Sequence, residues 1–315
     1  MILVVTHSQD LGADPVIWHL QRRGAAYLRL NTDELGTPPC RISVGADGPV
    51  LACRGRHVAA AGIASVWYRR FAPPAVLEAV APTYRDFVAR ELAAALDGFL
   101  ESIPGLQINR FEADRLAGNR LLQAARARQA GFLVPETLLT QDADAARAFV
   151  LEHGAVVTKA ISFGALGDPA GQVAYTSAVG LDADWTGLAV CPGLFQERVA
   201  KRREWRLTTV GARVFAARTR DGAAVDPIDW RRSEAPDTIF EPAELPAEVG
   251  RMILSLCARS DLVFATHDLI ETPAGAFCFL ETNPAGQWGW LELGAGLPIA
   301  AALAGVLDDR DRVWG

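Results

Sequence analysis

Between residues 262 and 283 the chain reads LVFATHDLIETPAGAFCFLETN, two apolar runs that turn back on one another at Pro273–Gly275. Runs this apolar belong inside a sheet. Yet the first carries Asp268, and the second carries Glu281 and Asn283. A carboxylate on a buried strand needs a partner, because nothing there replaces its water. Glu281 and Asn283 lie two apart, so a strand points both to one face. The turn brings Asp268 close to Glu281, with its face depending on the turn type. Two carboxylates and an amide oxygen are hard donors, the set that suits Mg²⁺ beside phosphate groups.

Two further stretches supply cations. Of the 31 basic residues, 29 are arginine and two, Lys159 and Lys201, are lysine. A chain that spends arginine on generic charge points to its lysines as places where a compact, flexible ammonium is wanted, such as beside a phosphate. Lys159 ends the apolar run AVVTKA and opens into SFGALGDPAG, a Gly-rich hairpin whose backbone N–H groups suit an anion. Neither GxxxxGK[ST] nor GxGxxG occurs. The third stretch, LFQERVAK followed by EWR, is a short strand running into charge. Its backbone suits pairing with adenine, with Lys201 and Arg206 in reach of ribose or phosphate. Singly, each stretch also reads as an exposed hairpin, a flexible loop or a solvated charge run.

The surrounding organisation is mixed. Residues 1 to about 110 alternate strand and helix, the pattern of a mainly parallel α/β layer, with a hairpin of Cys40–Val44 and Val50–Cys53 turning at Asp47–Gly48. A helix is expected over 113–130, a strand over 135–140, a helix over 142–153, and strands over 155–160 and 172–179. From residue 194 the pattern becomes antiparallel, with a hairpin about Gly211, and a last helix spans roughly 297–307. Residues 220–245, rich in Pro, Asp and Arg, read as a long mobile loop. A net charge of −6 argues against a nucleic-acid partner. No apolar run approaches the roughly 20 residues that span a bilayer. The start, MILVVTHSQD, reads as a first strand rather than a signal peptide. The five cysteines are never spaced CxxC, which disfavours a disulfide framework or a zinc site and fits a reducing cytoplasm. Each reads as a small buried hydrophobe.

Taken together, these stretches resemble the ATP-grasp fold from about residue 113 to the end. Over nearly its full length the chain resembles the ATP-grasp peptide maturases that make microviridin-type graspetides. The resemblance rests on VWYRR (66–70), a stretch ending VPETLLT (134–140), FQERVAKRREWRLTTVGARVFA (195–216), DWR (229–231) and FLETNPAGQWGWLELGAGLPIA (279–300). It implies an α/β protein, an ATP-grasp fold with an N-terminal pre-ATP-grasp α/β domain (1–112), a central subdomain with the Gly-rich loop (113–192) and a C-terminal Mg-ATP domain (193–315).

The resemblance also implies residue roles. Asp268, Glu281 and Asn283 would hold two Mg²⁺ ions on the ATP phosphates. Lys159 would contact phosphate, with the 162–171 hairpin, Gly164 included, closing over the nucleotide. Gln196, Glu197 and Val199 would line the adenine edge beside Lys201. Arg206 and Arg218 would face the γ-phosphate and an acyl phosphate. Arg120 stands where the family commonly has a phosphate-contacting lysine. Arg69, Arg70 and Arg231 would face the substrate, a ribosomally made precursor peptide with a leader, and the family suggests a homodimer. His267 reads as structural. The expected reaction is phosphorylation of a peptide carboxylate, then attack by a side-chain hydroxyl or amine to give an ester or amide. A ligase that adds an amino acid or amine, and a silent ATP-binding scaffold, share the same nucleotide residues. A Rossmann dehydrogenase is disfavoured by the missing glycine fingerprint.

Overall fold

The computed structural model describes residues 1–161, 175–235 and 238–309. The Gly-rich hairpin at 162–171 and its Gly164 lie outside the described residues, as do residues 172–174 of the strand expected after it. Among the described residues the strands form four sheets, and no helix is long and apolar enough to cross a membrane.

The N-terminal layer is β1 (Ile2–Thr6), α1 (Asp14–Arg22), β2 (Tyr27–Asn31), β3 (Arg41–Gly45), β4 (Gly48–Cys53), β5 (Arg56–Ala59), β6 (Ser65–Tyr68), α2 (Pro82–Glu101) and β7 (Leu106–Ile108). β2-β1-β6-β7 pair in parallel, and β3-β4-β5 form a separate antiparallel sheet. β1 is buried along its whole length because it is covered on both faces. Leu3 and Val5 meet α2 and the small sheet, while Ile2 and Val4 join α1 and the last helix. One expectation fails here. The hairpin register pairs Arg41 with Ala52, so Cys40 and Cys53 face each other one step beyond and form a disulfide. Cys191 is exposed, and only Cys257 and Cys278 are buried.

The middle section is α3 (Phe111–Ala117), α4 (Arg120–Gln129), β8 (Thr137–Thr140), α5 (Ala143–His153), β9 (Val156–Lys159), β10 (Ser177–Val179) and β11 (Gly193–Glu197). The single helix expected over 113–130 is two. Asn119 leaves the helical region and its side-chain oxygen accepts from the N–H groups of Leu121 and Leu122, both at 3.1 Å. The cap makes Arg120 the first residue of α4. Replacing Asn119 by Ala is expected to lower stability by about 1 kcal/mol, read from the urea midpoint. β10-β9-β11-β8 form an antiparallel sheet.

The C-terminal section is β12 (Arg203–Val210), β13 (Arg213–Thr219), β14 (Phe240–Pro242), α6 (Ala247–Arg259), β15 (Phe264–Glu271), β16 (Phe277–Asn283), α7 (Gly289–Ala295) and α8 (Ile299–Asp308). Its sheet runs β14-β13-β12-β15-β16. β14 falls inside the segment expected to be a loop and pairs with β13. α6 is an addition: Val249, Ile253 and Leu256 form an apolar stripe that packs on Trp205, Leu207, Leu269 and Phe279. On the other face, α8 and the N-terminal layer cover Val210, Phe215 and Phe264.

Asn109, just past β7, joins the layers. Its amide nitrogen donates to the carbonyls of Phe264 (2.8 Å) and Pro284 (3.2 Å), and its oxygen accepts from the N–H groups of Val263 and Phe264. Those are the ends of the strand pair that carries the acids.

Candidate active site

The strand pair β15–β16 is irregular where it matters. Leu269 pairs with Phe279, but Asp268 pairs with Glu281, so Leu280 is an extra residue in a β-bulge. In an unbroken strand Phe277, Phe279, Glu281 and Asn283 would share one face. The bulge separates them. Phe279 goes into the core against Trp205 and α6, and Glu281 and Asn283 turn to the opposite face with Asp268. This answers the question of Asp268's direction that the turn alone leaves open.

Arg206 lies beside Asp268 on β12 and is itself buried. It ion-pairs with Asp268, and its second Nη donates to Thr266 Oγ1 at 3.1 Å. Arg120, from the start of α4, ion-pairs with Glu281. The two carboxylates share the surrounding charge unequally. Burial, offset in part by Arg206, pushes Asp268 up from its ordinary carboxylate value. Burial also pushes Glu281 up, but Arg120 and Lys159 outweigh it and hold Glu281 at about 2. Glu281 therefore carries its charge firmly.

The sheet β10-β9-β11-β8 supplies the facing wall. Lys159, at the end of β9, is held down to about 8 by burial and by the like charge of Arg120, against the pull of Glu281 and Asp268. It thus belongs to the carboxylate cluster. Gln196 is buried in β11 and donates to Thr137 Oγ1 at 2.9 Å. Glu197 ends β11, and its N–H donates to Glu136 O at 2.9 Å. Val199 follows in the link between the two sheets. Lys201 ion-pairs with Glu204 and donates to Asp226 O at 3.0 Å. Glu204 sits two residues from Arg206 on the same face; burial raises it to about 7, and Lys201 draws it down. Cys278 and Ile270 pair on that face too, giving an apolar floor.

The remaining arginines divide. Arg231 pairs bidentately with Asp229 (2.8 and 2.6 Å), lies over the Tyr175 ring and feels Glu281 and Asp268, which with Asp229 raise its pKa. Arg69 is buried, donating to Ala285 O and Gln287 Oε1, each at 3.3 Å, with Asp10 at 3.8 Å. It anchors the loop after β16. Arg70 lies on the other side of the Gln287 amide, which can turn its oxygen to it. Arg218 is not brought to the cluster. β12–β13 pairing sets Arg206 against Ala217 and Trp205 against Arg218, so Arg218 points from the opposite face, where it meets Glu241 at 3.2 Å. That parity is set by the turn register, which pairs Val210 with Arg213 across Gly211 and Ala212.

Several neighbours carry no sequence signal as strong. Gly286 is one: a Cβ there would stand 1.8 Å from Thr266 Oγ1, the atom that Arg206 holds. Gly286→Ala is expected to displace the loop and Arg206 together, read as a lowered Tm. His267 lies behind the acids, fully buried, between Thr282 Oγ1 (2.9 Å) and Thr209 Oγ1 (3.2 Å); burial holds it down to about 3, so it is neutral. Trp230 and Trp290 stack with centroids 5.1 Å apart, so the DWR and NPAGQWGW stretches meet.

Among the described residues no three His, Cys, Asp or Glu cluster as a ready-made metal cage. The donors here are two carboxylates and the Asn283 amide. They fit a small divalent cation that takes one or two carboxylates and completes its shell with phosphate and water. Asp268, Glu281 and Asn283 lie on one face of the β15–β16 pair, and that shared face supports the fit.

Residues 1–115 match the MvdD pre-ATP grasp domain. The chain is similar in structure to a RiPP-associated ATP-grasp ligase of Chryseobacterium gregarium solved with ADP and a leader and core peptide, with a TM-score of 0.89 and 27% identity over 100% of this chain and 98% of that one. It is similar to the macrocyclase MdnC of Microcystis aeruginosa MRC bound with precursor peptide MdnA, at 0.86 and 28%, covering 98% and 99%. The macrocyclase MdnB of the same organism gives 0.80 and 27%, covering 97% and 98%. Comparison with curated proteins finds no match.

Proposed function

We propose that this chain, an ATP-grasp protein whose first 115 residues are an MvdD pre-ATP grasp domain, is an ATP-dependent ligase that closes ester or amide links within a ribosomally made precursor peptide. The observation that carries the reading is the cluster of Asp268, Glu281 and Asn283 ringed by Arg206, Arg120 and Lys159. That is a donor set for Mg²⁺ surrounded by cations for phosphate. The precursor reading is supported by the full-length likeness to the Chryseobacterium ligase and to MdnC, whose structures hold peptides.

On this reading ATP, with two Mg²⁺ ions, supplies the phosphoryl group that turns a poor electrophile, the peptide carboxylate, into an acyl phosphate with a good leaving group. The protein's residues do the rest. Asp268, Glu281 and Asn283 hold the metal. Lys159, Arg120 and Arg206 neutralise charge on the phosphates, the largest contribution in reactions of this class. Gln196, Glu197, Val199 and Lys201 border the base and sugar, above the floor of Ile270 and Cys278. Arg231 and Arg70 stand where acidic side chains of the peptide would arrive, while Arg69 holds the 284–288 loop. Holding two groups of one peptide together supplies rate by proximity. The division at 113 and 193, a cytoplasmic setting and a homodimer belong to the same proposal.

The test is the intact mass of an acidic, Thr/Ser- or Lys-bearing precursor encoded beside this gene, incubated with the protein, ATP and Mg²⁺. Loss of one water per link, dependent on ATP, is expected. A mass gain instead means an amino-acid or amine ligase, and ATP binding without any change in mass overturns the maturase reading for that peptide.

A further inference from the structure

β16 is the outer strand of its sheet, yet its free edge is held at two points, on either side of the bulged Leu280. Before the bulge, Phe279 N–H donates to Leu133 O at 2.8 Å. After it, Thr282 N–H donates to Gln123 Oε1 at 3.0 Å, and Gln123 Nε2 donates to Thr282 O at 2.7 Å. The side-chain amide of Gln123 thus makes the two-bond ring that a neighbouring strand would make. Its remaining N–H donates to Ala117 O at 2.7 Å, so the buried amide has all its hydrogens used.

The position of this clamp is informative. The Thr282 N–H belongs to the peptide joining Glu281 to Thr282, and the Thr282 C=O to the peptide joining Thr282 to Asn283. Both peptide planes that aim the two candidate ligands are therefore fixed by one side chain. A bulge can slip, and a one-residue slip sends Glu281 and Asn283 to the opposite face, toward the core. Gln123 opposes that slip. It lies one turn after Arg120 on α4, so the helix that neutralises Glu281 also holds its backbone.

We infer that Gln123 is a positioning residue that locks the bulged register of β16 and so keeps Glu281 and Asn283 aimed into the cleft. The inference rests on the metal-binding reading above, and its test separates the two. ATP binding is titrated at stepped Mg²⁺ concentrations in the wild-type protein and in Gln123→Met, which keeps the volume and removes the amide. Gln123→Met is expected to raise the Mg²⁺ needed for half-maximal ATP binding at least about 10-fold, the effect of losing an outer partner of a metal ligand. Metal-free ATP affinity should not move. Hydrogen exchange at the Thr282 amide should speed up in the variant. Unchanged Mg²⁺ dependence and unchanged Thr282 exchange in a folded variant overturn the inference. A wild-type protein whose ATP binding ignores Mg²⁺ overturns the metal reading instead. Should Gln123→Met not fold, exchange in the wild-type protein decides: a Thr282 amide as slow as those of buried β15 is expected, and one exchanging like a frayed edge overturns the lock.

Discussion

Glu281→Gln is expected to abolish cross-linking of the precursor, with kcat/KM falling by more than about 10²–10³-fold, while the protein stays folded. The substitution keeps shape and removes one formal charge. Glu281 is the carboxylate that holds its charge, at about 2, because Arg120 and Lys159 face it. Its neighbour Asp268 is pushed the other way by burial. Losing Glu281 therefore removes the firmly charged ligand and leaves Asp268 as the one carboxylate of the donor set, inside a cluster that now has an excess of cations. The stability cost is about 1–3 kcal/mol, below that of a fully buried pair, since the Arg120–Glu281 pair keeps some contact with water. Intact-mass analysis and a thermal melt on the same preparation check both halves. A folded Glu281→Gln variant that still releases water from the peptide sinks the metal assignment.

Much of this site is legible in the sequence because it depends on local rules. The parity of Glu281 and Asn283, the turn at Pro273–Gly275 and the hairpin about Gly211 all follow from strand period and turn residues. The parallel layer follows from alternating strand and helix patterns. What escapes is non-local. The bulge at Leu280 is set by competition between core demand for Phe279 and cleft demand for Glu281, and no spacing rule reports it. The break at Gly118–Asn119 lies inside an apolar pattern that runs on regardless, so it is visible only as cap chemistry. The disulfide follows from hairpin register rather than from cysteine spacing.

Arg69 and Arg218 show the same limit from the other side. Both sit in stretches that resemble substrate- or phosphate-binding segments, and sequence alone gives each a free guanidinium. Packing gives Arg69 to the carbonyl of Ala285 and the side chain of Gln287, where burial holds its pKa down to about 10. Strand parity gives Arg218 to Glu241. α6 is different: its stripe of Val249, Ile253 and Leu256 is readable in the sequence at helical spacing, and its partners on the sheet are not.

Arg206→Met is expected to lower the stability of the metal-free protein by about 3–5 kcal/mol, because removing one partner of a buried pair strands the other. Arg206 and Asp268 are exposed by only 9% and 18% of their side chains, so solvent does little to replace the lost guanidinium. Glu281, the like charge across the strands, then acts on Asp268 unopposed by Arg206. The sign with pH follows. Asp268 is already raised in the folded state, and without Arg206 it rises further. The folded variant then binds a proton that the unfolded chain has released, so its stability falls as pH climbs from the ordinary carboxylate range through the raised folded value. The deficit against wild type is therefore smallest in acid and largest once the pH has passed the raised folded value. Added Mg²⁺, a cation for the stranded carboxylate, is expected to narrow it. Urea midpoints at pH 5 and pH 8, with and without Mg²⁺, measure all of this. A deficit that is equal at both pH values and indifferent to Mg²⁺ means that the loss does not run through the charge of Asp268, and the charge-partner account of the cluster fails with it.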